Sequence, residues 1–279
     1  MKGYRSQREA VNHMPSRAGR QVGEGDAKFG DVLGLDAEIS VGNLWQAIAE
    51  TPLAIVGQPL VSLSAGQIVG YEALSRFPRF PDWTPDGIFR LAAERGVGLE
   101  LEEKAIRQAM THLGQIRRRD AFLTVNASPS AAASDPIHTL VQGSLAEAIV
   151  LEITEQTEVD SYIGLNRSLL KLRLDGLRVA IDDIGTGFAN WGHMVHLQPD
   201  MIKLDGAWTA EIDADPVRRA MVRALMAFAR DIDAIVVAEH VETVGQLNAM
   251  RELGVDLAQG FFLCRPEPFD RLLTRPAQL

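Results

Sequence analysis

Beyond residue 51 the chain alternates short apolar runs with longer segments in which apolar residues recur every three or four positions. The short runs predict β-strands near 58–63, 69–74, 122–127, 149–153, 179–183, 201–205, 235–240 and 257–262. Helical spacing predicts helices over 88–95, 102–113, 162–174, 216–230 and 243–253, the fourth opened by Asp215-Pro216 and the last by a Glu-Thr turn. Strands alternating with helices imply βα units around a parallel sheet, and eight strands suggest closure into a barrel. Only Ser64, Ala65, Gly66 and Gln67 separate the first two runs, too few for a crossover helix, so those strands should pair antiparallel. One barrel strand therefore runs backwards. The leucine and methionine stripes on the helices read as core packing, and the acids Glu100, Glu102 and Glu103 as a solvated face.

Residues 1 to 40 show little apolar periodicity. They hold six Lys or Arg against three acids in the first thirty positions, which reads as a flexible or partner-ordered arm. Leu44, Trp45, Ile48 and Ala49 then recur at helical spacing up to Thr51-Pro52, so the folded domain is expected over 41–279.

The stretch Val179 to Phe188, VAIDDIGTGF, delivers two adjacent carboxylates, Asp182 and Asp183, where Gly185, Thr186 and Gly187 break the strand. Paired acids repel, and divalent cations with hard oxygen ligands relieve both that repulsion and the cost of desolvation. In isolation, one Asp capping a helix and the other solvated serves equally well. The other strand ends weigh against that plainer reading. Taken in turn they offer Glu72, Asn126, Glu152, Asp182 with Asp183, Lys203 with Asp205, Glu239 with Glu242, and Gln259. In a βα barrel that face carries the reacting groups, and so many carboxylates on one rim call for cations among them. Apart from Lys203 the donor set is all oxygen, which favours Mg²⁺ or Mn²⁺ over zinc. His193 and His196, three apart on a helix, read as surface or packing residues.

Composition narrows the partners. A net charge of -9 and a pI near 5.2 argue against duplex nucleic acid, which needs a basic face. A small anionic ligand bound through metal ions fits. The single cysteine, Cys264, reads as a small buried hydrophobe and asks for no oxidising compartment. No apolar run approaches the roughly 18 residues of a membrane-spanning helix, so a cytoplasmic protein is expected.

Seven segments then carry a resemblance. YEALSRF (Tyr71 to Phe77), LTVNASP (Leu123 to Pro129), LEITE (Leu151 to Glu155), IDDIGTGF (Ile181 to Phe188), PDMIKLD (Pro199 to Asp205), VAEHVET (Val237 to Thr243) and LAQGFFLCRP (Leu257 to Pro266) resemble, in order, the signature motifs of the EAL-domain family of cyclic di-GMP phosphodiesterases. The resemblance covers roughly residues 44 to 270. It implies a (β/α)8 TIM-like barrel with one antiparallel strand, preceded by an N-terminal extension, and hydrolysis of cyclic di-GMP to linear pGpG with two Mg²⁺ or Mn²⁺ ions. By the same resemblance Glu72, Asn126, Glu152 and Asp182 hold the first metal, Asp182 bridges to the second, and Asp183 and Glu239 complete it. Lys203 orients the attacking water, with Glu239 as a candidate general base. Gln58, Leu74, Arg76, Asp205, Gln259 and Pro266 match substrate-binding positions, Arg76 suiting a phosphate oxygen through its planar fork. Glu155 matches an acid that holds the loop after the Asp182 strand, and Glu242 a nearby supporting acid. A homodimer is implied by resemblance alone.

Some positions depart from the family pattern. Ile184 stands where Phe is usual, Trp191 where Leu is common, and Ser75 and Ala127 where leucines are commoner. His240 follows Glu239 where Gly is usual, which places a side chain beside a candidate metal ligand. The alternative to an active enzyme is a receptor that binds cyclic di-GMP without cutting it. Such members typically lack a ligand, and here every matched ligand is present.

Overall fold

The structure, a computed structural model, describes residues 52–153, 161–184, 190–274 and 276. The N-terminal arm, the helix expected near Leu44, the glycines of 185–187 and Glu155 lie outside these residues.

Strand β1 (Ala54–Ser62) and β2 (Ile68–Arg76) form the expected antiparallel hairpin. There follow β3 (Phe122–Ala127), β4 (Ile149–Ile153), β5 (Arg178–Ile184), β6 (Met201–Leu204), β7 (Ile235–Ala238) and β8 (Leu257–Ala258), each parallel to its predecessor from β2 onward. β8 returns to pair antiparallel with β1 at Val61 and Ser62, so eight strands close into a barrel. A short ninth strand, β9 (Glu267–Pro268), pairs with β1 at Val56 and Gly57 outside the ring. Helices fill the intervals, the longer ones being Pro85–Glu94, Gly98–Met110, Tyr162–Leu174, Pro216–Asp231 and Val244–Leu253.

The start signals act as read. Asp215 accepts from the Val217 and Arg218 amides ahead of Pro216, and Thr243 forms a reciprocal capping box with Gln246. Other expectations shift. The second helix stops at Met110 instead of continuing to Leu113, because the Thr111 hydroxyl donates to the Gln108 carbonyl and a new turn starts at Leu113–Arg117. The helix Tyr162–Leu174 buries Leu165, Leu169 and Leu172 but exposes Ile163, Leu170 and Leu174, so its apolar stripe is core on one side only. Glu102 is not solvated: its carboxylate accepts from the Ser128 amide at 2.7 Å and ties that helix to the loop after β3. Strands 235–240 and 257–262 end early, at Ala238 and Ala258, because His240 takes a left-handed φ of 53° and Gly260 a φ of 158°.

The barrel interior is built in layers by the strand period of two. Leu60, Phe122, Val150, Ala180, Met201, Val237 and Leu257 form one buried apolar cluster inside the ring. Two residues further along each strand, towards the same end of the barrel, come Gln58, Thr124, Glu152, Asp182, Lys203, Glu239 and Gln259. On β2 the equivalent step from Gly70 reaches Glu72. The alternate positions, among them Leu123, Leu151, Val179, Ile202 and Val236, join the larger core against the helices. Strands apolar on both faces are the rule for a parallel sheet covered by helices. The polar layer is the exception, and it lies at the C-terminal ends of the parallel strands.

Closure between β7 and β8 depends on one glycine. A Cβ at Gly260 would lie 2.2 Å from both the backbone N and O of Val241, and the residue's φ also disfavours a side chain. Gly260→Ala is expected to lower unfolding stability by roughly 2–4 kcal/mol. Urea unfolding checks this, and a loss below about 0.5 kcal/mol would mean that the two segments separate easily.

Candidate active site at the C-terminal mouth of the barrel

Lys203 is the centre of the polar layer. Its ammonium, 1% exposed, lies 2.9 Å from Glu239, 3.0 Å from Glu152, 3.2 Å from Asp182 and 3.4 Å from Glu72. Those carboxylates come from β7, β4, β5 and β2, so residues up to 167 positions apart in sequence meet around one nitrogen. The amide of Asn126 donates to Glu72 at 3.4 Å. The Gln259 amide donates to Glu72 and, at 2.8 Å, to Gln58, whose own amide donates to the Cys264 carbonyl at 2.9 Å. Gln58 and Gln259 thereby tie the backward strand β1 to β8 directly beneath the mouth.

One cation does not balance four acids, and the proton affinities record the shortfall. Burial raises the Glu152 carboxyl to about 8; the Lys203 charge opposes this, while Glu72 and Asp182 add to it. Glu239 is likewise pushed well above the ordinary carboxylate range by burial, with Lys203 opposing and Asp182 and Glu72 reinforcing. Burial alone would lower Lys203, but Asp182, Glu152, Glu239 and Glu72 together outweigh it and hold the ammonium well above its usual value.

Asp183 reaches the same space through a backbone irregularity. Neighbouring residues of a regular strand face opposite sides, which would send Asp183 outward. Instead the β5–β6 register slips between Ile181 and Ile184, and Asp183 adopts φ 58°. Its amide donates to the Asp182 carboxylate at 3.0 Å. Ligand oxygens of Asp182, Asp183 and Glu239 consequently lie within 4.8 Å of one another. The placement comes from the bulge and from the left-handed Asp183 itself.

The donor set fits a divalent cation. It consists of carboxylate and amide oxygens, and one of its atoms, Glu152 Oε1, is buried without a hydrogen-bond partner among the described residues. Such an orphaned acceptor is what a hard cation would satisfy.

The remaining predicted residues are distributed around the mouth. Arg76, half-buried at the end of β2, donates to the Ser75 carbonyl at 2.8 Å. Burial lowers its guanidinium, opposed by the charges of Glu72 and Asp86. Leu74 is half-buried on the same strand, and Pro266 is half-buried just before β9. Asp205 follows β6 and caps the short helix Gly206–Thr209 by accepting from the Ala207 amide at 2.7 Å. Glu242 is exposed on the turn before Val244–Leu253 and joins none of the ion pairs around Lys203. Glu155 lies outside the described residues. His196 stacks on Tyr162 at 4.5 Å, a packing role, whereas the side chain of His193 is outside the described ones. Cys264 is buried, as expected of a small hydrophobe. Sequence reasoning passed over Thr124, fully buried one step below Asn126; the strand period that marks Asn126 as inward also marks Thr124.

A family model described as the EAL domain matches residues 42–266. The cyclic di-GMP phosphodiesterase NbdA of Pseudomonas aeruginosa is 32% identical over 244 residues, which cover 82% of this chain and 31% of that protein. The chain spans about a third of the length of the curated relatives it matches, 28%, 29% and 40% of three of them. A crystal structure of an EAL domain protein from Listeria monocytogenes EGD-e superimposes with a TM-score of 0.73 at 24% identity, covering 85% of this chain and 97% of that one. The PaMucR phosphodiesterase in complex with c-di-GMP, from Pseudomonas aeruginosa, superimposes with a TM-score of 0.69 at 28% identity, covering 79% and 99%.

The raised carboxylates make a pH prediction for the cation-free chain. Glu152 titrates at about 8 when folded and near 4.3 when unfolded. Its contribution to stability is therefore fully present below the unfolded value and lost as pH rises through the folded one. Lys203 stays protonated in both states across this window and adds no slope. In chelator the melting temperature should fall from pH 5 to 8.5, and saturating Mn²⁺ should remove most of the fall. A flat profile in chelator would contradict this electrostatic picture.

Proposed function

The chain belongs to the EAL domain family, and from that premise we propose that it is a divalent-metal-dependent phosphodiesterase that opens cyclic di-GMP to linear pGpG. The observation that carries the reading is the meeting of Lys203 with Glu72, Glu152, Asp182 and Glu239 at the C-terminal mouth of the barrel.

In this reading Glu72, Asn126, Glu152 and Asp182 hold one ion, and Asp182, Asp183 and Glu239 a second, as Mg²⁺ or Mn²⁺. Ions held there would neutralise charge on the phosphoryl oxygens and lower the pKa of a bound water. The chain's own residues do the rest. Lys203 donates to the attacking water and fixes its line of approach to phosphorus. Glu239, 8% exposed where Glu152 is sealed at 0%, serves in this reading as the general base that takes the water's proton. The new bond joins water oxygen to phosphorus, and the bond to the ribose 3′ oxygen breaks. That oxygen leaves as a hydroxyl after taking a proton from solvent, so one water is consumed and the phosphate stays on the 5′ side. Arg76 donates to a non-bridging phosphate oxygen, and Gln58, Leu74, Asp205, Gln259 and Pro266 line the dinucleotide. Glu155, outside the described residues, takes the role of the acid that holds the loop after the Asp182 strand, and Glu242 that of a nearby supporting acid.

The same reading places the domain in the bacterial cytoplasm as a homodimer. Family membership supports it; among the described residues no helix is long and apolar enough to cross a membrane. An acidic protein is not built for duplex nucleic acid, and the ligand expected is the small cyclic dinucleotide alone.

The test is to incubate the purified chain with cyclic di-GMP and follow pGpG by chromatography. Product should form with Mn²⁺ or Mg²⁺ and not with chelator. Binding without product in both conditions would make the chain a receptor. Lys203→Ala should lower kcat by about 10²-fold or more while Kd for cyclic di-GMP changes by less than about tenfold, a smaller loss because the water it orients is not a substrate contact. Wild-type turnover in that variant would refute the role of Lys203.

A further inference from the structure

The strand end that carries Glu239 has a second feature that hydrolysis as described does not use. His240 stands in the left-handed region at φ 53°, a conformation that a residue with a Cβ resists. The backbone requires it there. The Glu239 amide donates to the Leu204 carbonyl on β6, and two residues later the Val241 amide donates to the Gln259 carbonyl beyond β8. The chain changes partners within three residues while Glu239 and Val241 both stay buried, and only a sharp turn at His240 permits this.

The turn leaves the His240 side chain exposed on the mouth of the barrel and sets it against Gly206. A Cβ at position 206 would lie 2.9 Å from His240 Cγ and 3.0 Å from Nδ1. The imidazole thus sits in a notch that exists because residue 206 has no side chain. Position 206 opens the short helix after β6 and directly follows Asp205. Among the described residues the ring makes no hydrogen bond to the protein. A polar ring beside a reacting centre, seated by a neighbouring element and left exposed without a protein partner, is placed to meet a ligand.

We propose that His240, seated on Gly206, is a specificity-determining residue of this site, whose imidazole hydrogen-bonds the ribose or base of the nucleotide next to the phosphodiester at Glu239. The inference rests on the phosphodiesterase reading above. Under it Gly206 is a glycine in order to admit the ring.

The experiment is a double-mutant cycle read as KM and kcat for cyclic di-GMP with Mn²⁺, with melting temperature measured alongside. Glycine tolerates φ 53°, so His240→Gly should melt at the wild-type temperature or above it, with KM raised fivefold or more and kcat within twofold. Gly206→Ala should fill the notch, displace the ring and raise KM similarly. The double variant should be no worse than His240→Gly alone. A KM for His240→Gly within twofold of wild type would overturn the proposal, as would a Gly206→Ala effect that persists undiminished in the His240→Gly background, since either result makes His240 a spacer. Were the wild-type chain to bind without cutting, Kd would replace KM in the same cycle. A wild-type chain that neither binds nor cuts cyclic di-GMP would overturn the phosphodiesterase reading and this inference with it.

Discussion

A single ammonium, Lys203, is buried among four carboxylates, and the upper half of the barrel is arranged around that imbalance. A buried charge is tolerable only when paired and hydrogen-bonded, and one partner removed leaves the others uncompensated. Here the pairing is lopsided from the outset. In the absence of further cations, Glu152 and Glu239 respond by holding their protons to unusually high pH. The alternative response is to recruit positive charge. A site that must either protonate or bind cations suits a divalent metal, whose ligands would include Glu152 Oε1, a buried acceptor without a hydrogen-bond partner among the described residues.

The backbone around this cluster is correspondingly irregular. Two non-glycine residues in the left-handed region, Asp183 near the end of β5 and His240 just after β7, sit on the two strands that flank the one bearing Lys203. Each irregularity does something a regular strand cannot. The bulge at Asp183 brings consecutive carboxylates into one space, and the turn at His240 keeps Glu239 bonded to β6 while Val241 is handed to the segment after β8. Gly260 completes that handover by letting its own backbone press against Val241. Below this layer the apolar cluster from Leu60 to Leu257 is regular and fully packed. The apolar layer and the helix-facing core supply the packing, and the irregular backbone at Asp183 and His240 lies at the mouth.

Much of this was legible in the chain, for identifiable reasons. Strands β3 and β4 are short apolar runs bounded by polar turns, and their predicted limits coincide with those observed. The hairpin followed from the four residues between its strands, and the inward polar layer from one ionisable residue at the end of run after run. What the sequence concealed was non-local. The early ends of β7 and β8 come from positive backbone φ at His240 and Gly260, which periodicity does not encode. Glu102 looked like one of several surface acids until the fold set it against the Ser128 amide. The leucines of Tyr162–Leu174 share a helix but not a face, and only the packing separates Leu169, buried, from Leu170, exposed. Asp183 was named as a site residue from its neighbour, yet strand alternation argued for the opposite side, and the bulge that reverses it leaves no mark in the residue pattern.

The central claim is that acids on or just beyond β2, β4, β5 and β7 gather beside Lys203 to hold divalent cations. Anomalous diffraction at the manganese edge, from crystals grown with Mn²⁺, tests it most directly. The account predicts manganese peaks inside the barrel mouth, in contact with Glu152 and Asp182 and with Asp183 and Glu239. Fully occupied crystals whose manganese lies elsewhere on the molecule, with Lys203 still enclosed by its four carboxylates, would contradict it.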